Sequence, residues 1–147
     1  MIATRYSVAL HIMLLVARDG GGESTSAKLA WSIGTNPVVV RRIAGLLSRA
    51  GLIAVQRGPG GASLARPAEE ITLRDIWRAI HPEEDRLLGL HGKTNPACAV
   101  GSRVPALLRR RFEAAEAAML EDLRGTTLAA LSRQLDTPAE RQQSAAD

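Results

Sequence analysis

The stretch TSAKLAWSIGTNPVVVRRIAGLLSRAGL, residues 25–52, decides the fold of this 147-residue chain. Its first part predicts a short helix over about 26–33, because the preceding Ser and Thr residues are favoured helix caps and Gly34 suits the position after a helix. Asn36 followed by Pro37 predicts the start of a second helix, which runs to about residue 50. Two short helices joined at a turn that contains glycine form a helix-turn-helix.

The segments on either side of this stretch complete a winged fold. Residues 5–18 predict an amphipathic helix, because their apolar side chains recur every three and four positions. Residues 52–56 and 62–65 predict two short strands, and Arg-Gly-Pro-Gly-Gly at 57–61 predicts the turn between them. The whole first half therefore indicates a helix-turn-helix followed by a glycine-rich β-hairpin, the wing.

The second half of the chain is predicted to be helical. A capping pattern at Thr72 opens a helix to about Ile80, residues 102–124 carry the longest helical pattern, and a short helix follows over 127–135. Because one small domain cannot cover an apolar stripe as long as the one on 102–124, we expect it to pair with a second copy of the chain. The alternative is that this helix packs back on the first helix. The stripe consists of Val104, Leu108, Phe112, Ala115, Met119 and Leu123.

Charge is distributed unevenly along the chain. The chain has 19 basic and 15 acidic residues, but residues 1–66 hold eight basic residues and only two acidic ones. A basic half joined to a nearly neutral half favours binding to a polyanion. An enzyme is not expected, because the sequence shows no nucleophile–base pair, phosphate-binding loop or metal-ligand spacing. A signal peptide and a membrane-spanning apolar run are also missing from the sequence, so we expect the cytoplasm.

A basic winged helix-turn-helix favours binding to double-stranded DNA. The second helix of such a unit presents its early turns to the major groove, and the wing suits a narrow minor groove. Arginine reads guanine or pairs with phosphate, valine suits a thymine methyl, and Asn36 can contact adenine or cap its own helix. The alternative is a winged helix that binds a protein partner without recognising DNA. The predicted DNA contacts are Ser26, Asn36, Val38, Val39, Arg41, Arg42, Arg57, Gly58, Pro59 and Gly60.

These expectations give a mainly α fold with a small β-wing, divided into three parts by role. Residues 1–66 are the winged helix-turn-helix region that binds DNA, and residues 67–136 hold a linker helix, the Cys98 loop and the dimerisation helices. Residues 137–147 are polar and are predicted to be a disordered tail. Trp31 and Trp77 are expected to be anchors in the core or between these parts. The alternative for Trp77 is that it lines a small-molecule pocket between the wing and the long helix.

The sequence resembles the Rrf2 family of bacterial winged-helix transcription regulators, and its YwnA-like branch most. The resemblance covers the chain to about residue 135. It implies a homodimer built on the long helix, an operator with two half-sites, and repression by occupation of a promoter. The matching residues are Arg5-Tyr6 with Ala9, the run from Asn36 to Ile43, Leu47, Ala50-Gly51-Leu52, Arg57 to Ala62 with Leu64, and Asn95-Pro96-Ala97-Cys98.

The chain departs from the iron–sulfur members of that family in its cysteines. Those members use three cysteines before the long helix, and Cys98, the one cysteine of this chain, matches the last of them. Gly92 and Val104, six residues away on either side, cannot ligate iron, so no cofactor is expected. A site shared between subunits, with His91 and Cys98 from each, is an alternative.

Cys98 has two readings from the sequence. It can be a thiol sensor, because the start of the long helix together with Lys93 and Arg103 would favour its thiolate. It can instead be a buried, small apolar residue that packs its loop. If Cys98 is a sensor, the expected effector is an oxidant or a small molecule. If Cys98 only packs its loop, the expected effector is a small molecule.

Overall fold

The computed structural model describes residues 2–19, 23–57, 60–81 and 86–137 of the chain, with the side chains of residues 2 and 3 left aside. Within these ranges it contains six α-helices, one two-stranded sheet and a 3-10 turn at Ala68–Glu70. The elements are α1 (Ile2–Arg18), α2 (Ser26–Ile33), α3 (Pro37–Arg49), β1 (Ile53–Val55), β2 (Ala62–Leu64), α4 (Leu73–Ile80), α5 (Val104–Arg124) and α6 (Leu128–Gln134).

The prediction of a mainly α fold with a small β-wing is confirmed. The strands are antiparallel, and Ile53 lies opposite Leu64 while Val55 lies opposite Ala62. The division of the chain by role stays a prediction, and residues 138–147 of the predicted tail lie outside the described residues.

A single hydrophobic core joins the helix-turn-helix to the helices that follow it. Ile12 and Met13 of α1 are fully buried, and they belong to the same cluster as Val40 of α3, Ile76 of α4 and Leu128 of α6. Helix α1 packs against α3, α4 and α6. Residues on both sides of the predicted boundary at 66 and 67 therefore share one packed core.

The turn between α2 and α3 is fixed by local hydrogen bonds. Gly34 adopts the left-handed conformation with φ of 75°, which glycine reaches without a steric penalty, and its N–H donates to the Ala30 carbonyl at 2.9 Å. The Oδ1 of Asn36 accepts a hydrogen bond from the Val39 N–H at 3.1 Å, and Pro37 occupies the first helical turn. The two helices therefore begin and end where the sequence predicts.

The wing is attached to the segment before α2. The Ala62 N–H donates to the Ser24 carbonyl at 3.0 Å, so Ser24 adds an isolated bridge beside β2. A Cβ at Gly61 would lie 2.6 Å from the backbone nitrogen of Ser24, which leaves room for no residue larger than glycine. The base of the wing is thereby held against the entrance to α2.

Aromatic side chains connect α1 to α4. The Tyr6 hydroxyl donates to the Leu73 carbonyl at 2.8 Å, and burial raises the pKa of Tyr6 to about 12. Its ring packs edge-on against Trp77, and Trp77 stacks on His81 with ring centroids 3.8 Å apart. Trp77 is an anchor as predicted, but the same prediction for Trp31 is wrong, because Trp31 is 86% exposed on the outer face of α2.

The cap of α3 gives a test of the fold. Asn36→Ala removes the acceptor for the Val39 N–H and should lower the free energy of unfolding by about 1 kcal/mol, whereas Asn36→Ser keeps a capping oxygen and should lose only a fraction of that. Urea unfolding followed by circular dichroism measures both variants. Equal losses for the two would contradict the capping role.

Candidate nucleic-acid interface

The outward face of α3 is set by its buried face. Val40, Ile43 and Leu47 are spaced by three and four residues and are buried in the core. At 3.6 residues per turn, this turns Arg41 and Arg42 away from the core, and both are exposed. Two cations therefore stand on the outer face of the helix that a helix-turn-helix presents to DNA.

The two valines of the first turn take different positions. Val38 is 57% exposed, as an apolar contact for a thymine methyl requires. Val39, also a predicted DNA contact, is half-buried and packs against the core, so it lacks the exposure that such a contact requires. The reason is its place at the edge of the buried face, next to Val40. Asn36 is exposed, and its side-chain oxygen is already engaged as the cap of α3.

A cleft of about 620 Å³ lies between α3 and the wing. Three predicted contact residues, Ser26, Arg41 and Gly60, line it together. The Arg41 guanidinium donates to the Ser26 hydroxyl at 3.5 Å, which joins the start of α2 to the outer face of α3. Arg57 is exposed just after β1, while Gly58 and Pro59 lie outside the described residues.

Arg49 is a candidate that the sequence analysis missed. Its exposed guanidinium lines the cleft two turns after Arg41. The spacing of four residues from Arg41 through Gly45 to Arg49 places all three on one side of the helix, and extending the outward face by two turns finds it in the sequence. Lys28 is a different case, since it lies within 3.6 Å of Asp19 and 3.5 Å of Glu23.

Helix α5 is only partly covered by its own chain. None of its 21 residues, all within the described ranges, is buried. Its main packing partner is α4, while α1 packs on α3, α4 and α6. Arg86 pairs with Glu113 at 3.0 Å and the Leu88 N–H donates to Glu116 at 2.9 Å, so the preceding segment is tied to α5 through its carboxylates.

The predicted stripe on α5 remains accessible to a partner. Ala115 is exposed and the other members are partly exposed. Its neighbour Leu107 is 62% exposed, which widens the apolar surface. The stripe consists of Val104, Leu108, Phe112, Ala115, Met119 and Leu123.

Cys98 is an exposed thiol in a turn that precedes α5. Its Sγ accepts a hydrogen bond from the Gly101 N–H at 3.4 Å, and the backbone N–H groups of Gly101 and Val100 lower the pKa of Cys98. The alternative of a buried packing residue is therefore wrong within this chain. The expected stabilisation of the thiolate is present, and the amides of its own turn supply it.

Comparison with known proteins gives a consistent set of relatives. A family model named Rrf2 and described as an iron-dependent transcriptional regulator matches residues 2–134. YwnA of Bacillus subtilis, which is named as an HTH-type transcriptional regulator, is 38% identical over 129 residues, covering 87% of this chain and 94% of YwnA. The HTH-type transcriptional regulator IscR of Cereibacter sphaeroides is 32% identical over 127 residues, covering 84% of this chain and 80% of IscR.

A solved structure extends the likeness to three dimensions. CymR of B. subtilis, described as the global cysteine regulator, has a TM-score of 0.62 and 26% identity, and the match covers 89% of this chain and 95% of that one. Helices long and apolar enough to cross a membrane are not found in the part of the chain that the structure describes.

The side chains do not fit an iron–sulfur cluster held by three cysteines of one subunit. Cys98 is the one thiol of the chain. Among the described residues, no three His, Cys, Asp or Glu side chains gather where they can hold a metal ion. The iron that the family description names therefore has no set of three candidate ligands among the described residues. The match over almost the whole chain nonetheless settles the family: this chain belongs to the Rrf2 family and is a winged helix-turn-helix transcriptional regulator.

Proposed function

We propose that the chain acts in the cytoplasm as a homodimeric repressor that binds an inverted-repeat operator. The observation that carries the proposal is the exposed arginine face of α3 beside the wing, on a cleft shared with Ser26 of α2. A dimer places two such faces on two half-sites of one operator. Occupation of a promoter then blocks transcription.

Phosphate attraction and base reading have different sources on this surface. The basic first half, with eight cations against two anions, supplies the sequence-independent attraction to DNA. Val38, Arg41 and Arg42 are exposed on the early turns of α3, from which side chains reach base edges in the major groove. Arg57 is exposed just after β1, where its side chain can reach an adjacent minor groove.

Arg41 and Arg42 give the direct test of DNA recognition. Each replacement by alanine should weaken binding and relax selectivity at one base position by about 1–3 kcal/mol if that arginine reads guanine. The measurement is fluorescence anisotropy on duplexes that the wild-type protein selects from a random library, with a scrambled duplex beside them. Arg78→Ala, an exposed arginine on α4, is the matched control and should bind like wild type.

Two outcomes of that experiment would contradict the proposal. If the wild-type protein selects no sequence and its binding is flat with salt, the winged helix serves a protein partner and not DNA. If it selects DNA but Arg41→Ala and Arg42→Ala keep the full base preference, other residues read the bases.

The dimer is proposed on the stripe of α5. One winged helix contacts too few bases to select an operator in a genome. An apolar stripe over a helix of 21 residues without a buried member is suited to a second copy, because pairing two such helices removes both stripes from water.

Phe112→Glu tests this interface. A carboxylate in the middle of the stripe must be desolvated on pairing, so the variant should be monomeric at a concentration at which wild type is a dimer. Sedimentation equilibrium measures the mass. Ala114→Glu, an exposed position off the stripe on the same helix, adds the same charge and should remain dimeric. The proposal would be contradicted if Phe112→Glu remained dimeric or if the wild-type protein were monomeric.

A response to oxidants through Cys98 is proposed as the regulation of this repressor. The exposed thiol and the two amides that stabilise its thiolate favour attack on a peroxide. In that step the thiolate sulfur bonds to one oxygen of hydrogen peroxide, the O–O bond breaks, and hydroxide leaves with the electron pair, so a sulfenic acid forms. The turn at 95–103 leads directly into α5, so a change there acts on the dimer.

The lowered pKa of Cys98 predicts the pH dependence of its alkylation. Because the amides favour the charged form, the rate of reaction with iodoacetamide should rise at lower pH in the folded protein than in the same protein in guanidinium chloride. Mild peroxide should weaken DNA binding by wild type and leave Cys98→Ser unchanged. Equal loss in both would exclude Cys98 as the sensor, and no loss in either would leave a small molecule as the effector.

A further inference from the structure

Gly45 lies in the middle of α3, and no contact within the chain explains why this position is a glycine. Glycine in a helix interior is less stable than alanine because it loses more backbone freedom on folding. A Cβ at Gly45 would meet only the terminal nitrogens of Arg49, each at 3.9 Å, which is ordinary contact with a flexible side chain. Packing within the protein therefore tolerates alanine, so no contact inside the chain requires the glycine, which points to a contact with a binding partner.

The position of Gly45 shows where that contact lies. Gly45 lines the cleft between α3 and the wing, one turn after Arg41 and one turn before Arg49. The bare helix backbone at Gly45 is thus flanked by two guanidinium groups. Gln56 and Gly60 line the same cleft from the wing side. Among the residues that line the cleft, two are arginines and none carries a carboxylate.

These features suit a binding site for an anionic chain that approaches the helix closely. Arginine matches the oxygens of a phosphodiester, and repeated phosphates can engage more than one arginine along a helix. The two arginines favour an anionic occupant over an apolar segment, because an apolar segment would desolvate both guanidinium groups without pairing them.

We propose that one sugar–phosphate strand of DNA runs through the cleft between α3 and the wing, with Arg49 paired to a phosphodiester and Gly45 admitting the strand against the helix backbone. The inference rests on the proposed function and extends it to two residues outside the base-reading set. Arg41 and Arg42 at the start of α3 read bases, while Arg49 at its end holds the backbone and fixes the depth at which α3 enters the groove.

The test is a pair of substitutions, of which Gly45→Ala should stabilise the fold while it weakens DNA binding and Arg49→Gln should weaken DNA binding. Gly45→Ala should raise the melting temperature by ~2–4 °C. It should also weaken DNA binding roughly tenfold, because the added methyl group holds the strand away from the helix and so breaks the charge-assisted hydrogen bond to Arg49. Arg49→Gln should weaken binding to selected and scrambled duplexes alike, because phosphates carry no sequence. It should also flatten the slope of log K against log salt by about 0.9 for each bound subunit.

Matched controls separate the cleft from general effects. Gly89→Ala places a Cβ in open space on an exposed loop, and Arg78→Gln removes one exposed cation from α4. Both should leave DNA binding unchanged. Gly45→Ala with unchanged DNA affinity, or Arg49→Gln with an unchanged salt slope, would overturn the proposal.

Two further measurements complete the test. One identifies the source of the anion, and the other distinguishes failure of this inference from failure of the proposed function. Inorganic phosphate at constant ionic strength should not compete with the duplex; competition that is lost in Arg49→Gln would mean that the cleft takes a free phosphate ligand. Suppose that wild type selects an operator, that Arg41→Ala or Arg42→Ala loses the sequence preference, and that Gly45→Ala and Arg49→Gln bind DNA like wild type. The inference about the cleft then fails and the proposed function stands. If wild type selects no DNA, both fail.

Discussion

The burial of one face of α3 is the constraint on which the rest of the interface depends. Val40, Ile43 and Leu47 pack into the core that α1 also enters with Ile12 and Met13. Because a helix is rigid on this scale, fixing three inward side chains fixes the direction of every other one. Arg41, Gly45 and Arg49 thereby fall on the side that faces the wing. The same core takes in α4 and α6, so the arginine face is held by the whole domain.

Local chemistry made much of this predictable from the sequence. The Asn36–Pro37 pair specified the start of α3 by two independent effects, a side-chain acceptor and a fixed φ, and the structure places the start there. Gly34 and the Thr72 capping box worked in the same way. The long stripe on α5 was readable by its period alone. Signals of this kind depend on residues a few positions apart, so they can be recognised in the sequence before the tertiary fold is known.

The errors arose where burial depends on distant parts of the chain. Trp31 was expected to be an anchor because of its size, but its position on α2 lies opposite Leu29 and Ala30, which face the core. Val39 sits at the margin of the α3 face, where the width of the neighbouring core decides its exposure. Cys98 depends on a turn whose amides converge on its sulfur, and no periodic pattern in the sequence announces that geometry. Arg49 lies two turns beyond Arg41, outside the early turns of α3 from which a recognition helix reads bases, so the pattern for base contacts does not include it.

Gly61 and Gly45 show how a glycine can be assigned to a contact inside or outside the molecule. At Gly61 a Cβ would strike the Ser24 backbone, so the need for glycine is met by the chain itself, and the result is a wing base fixed to the start of α2. At Gly45 the structure offers no such obstacle, although glycine there lowers helix stability. Both residues lie on the same cleft, one in each wall. A stability cost that no internal contact explains, located between two arginines, is what a binding surface shows when function and folding favour different residues.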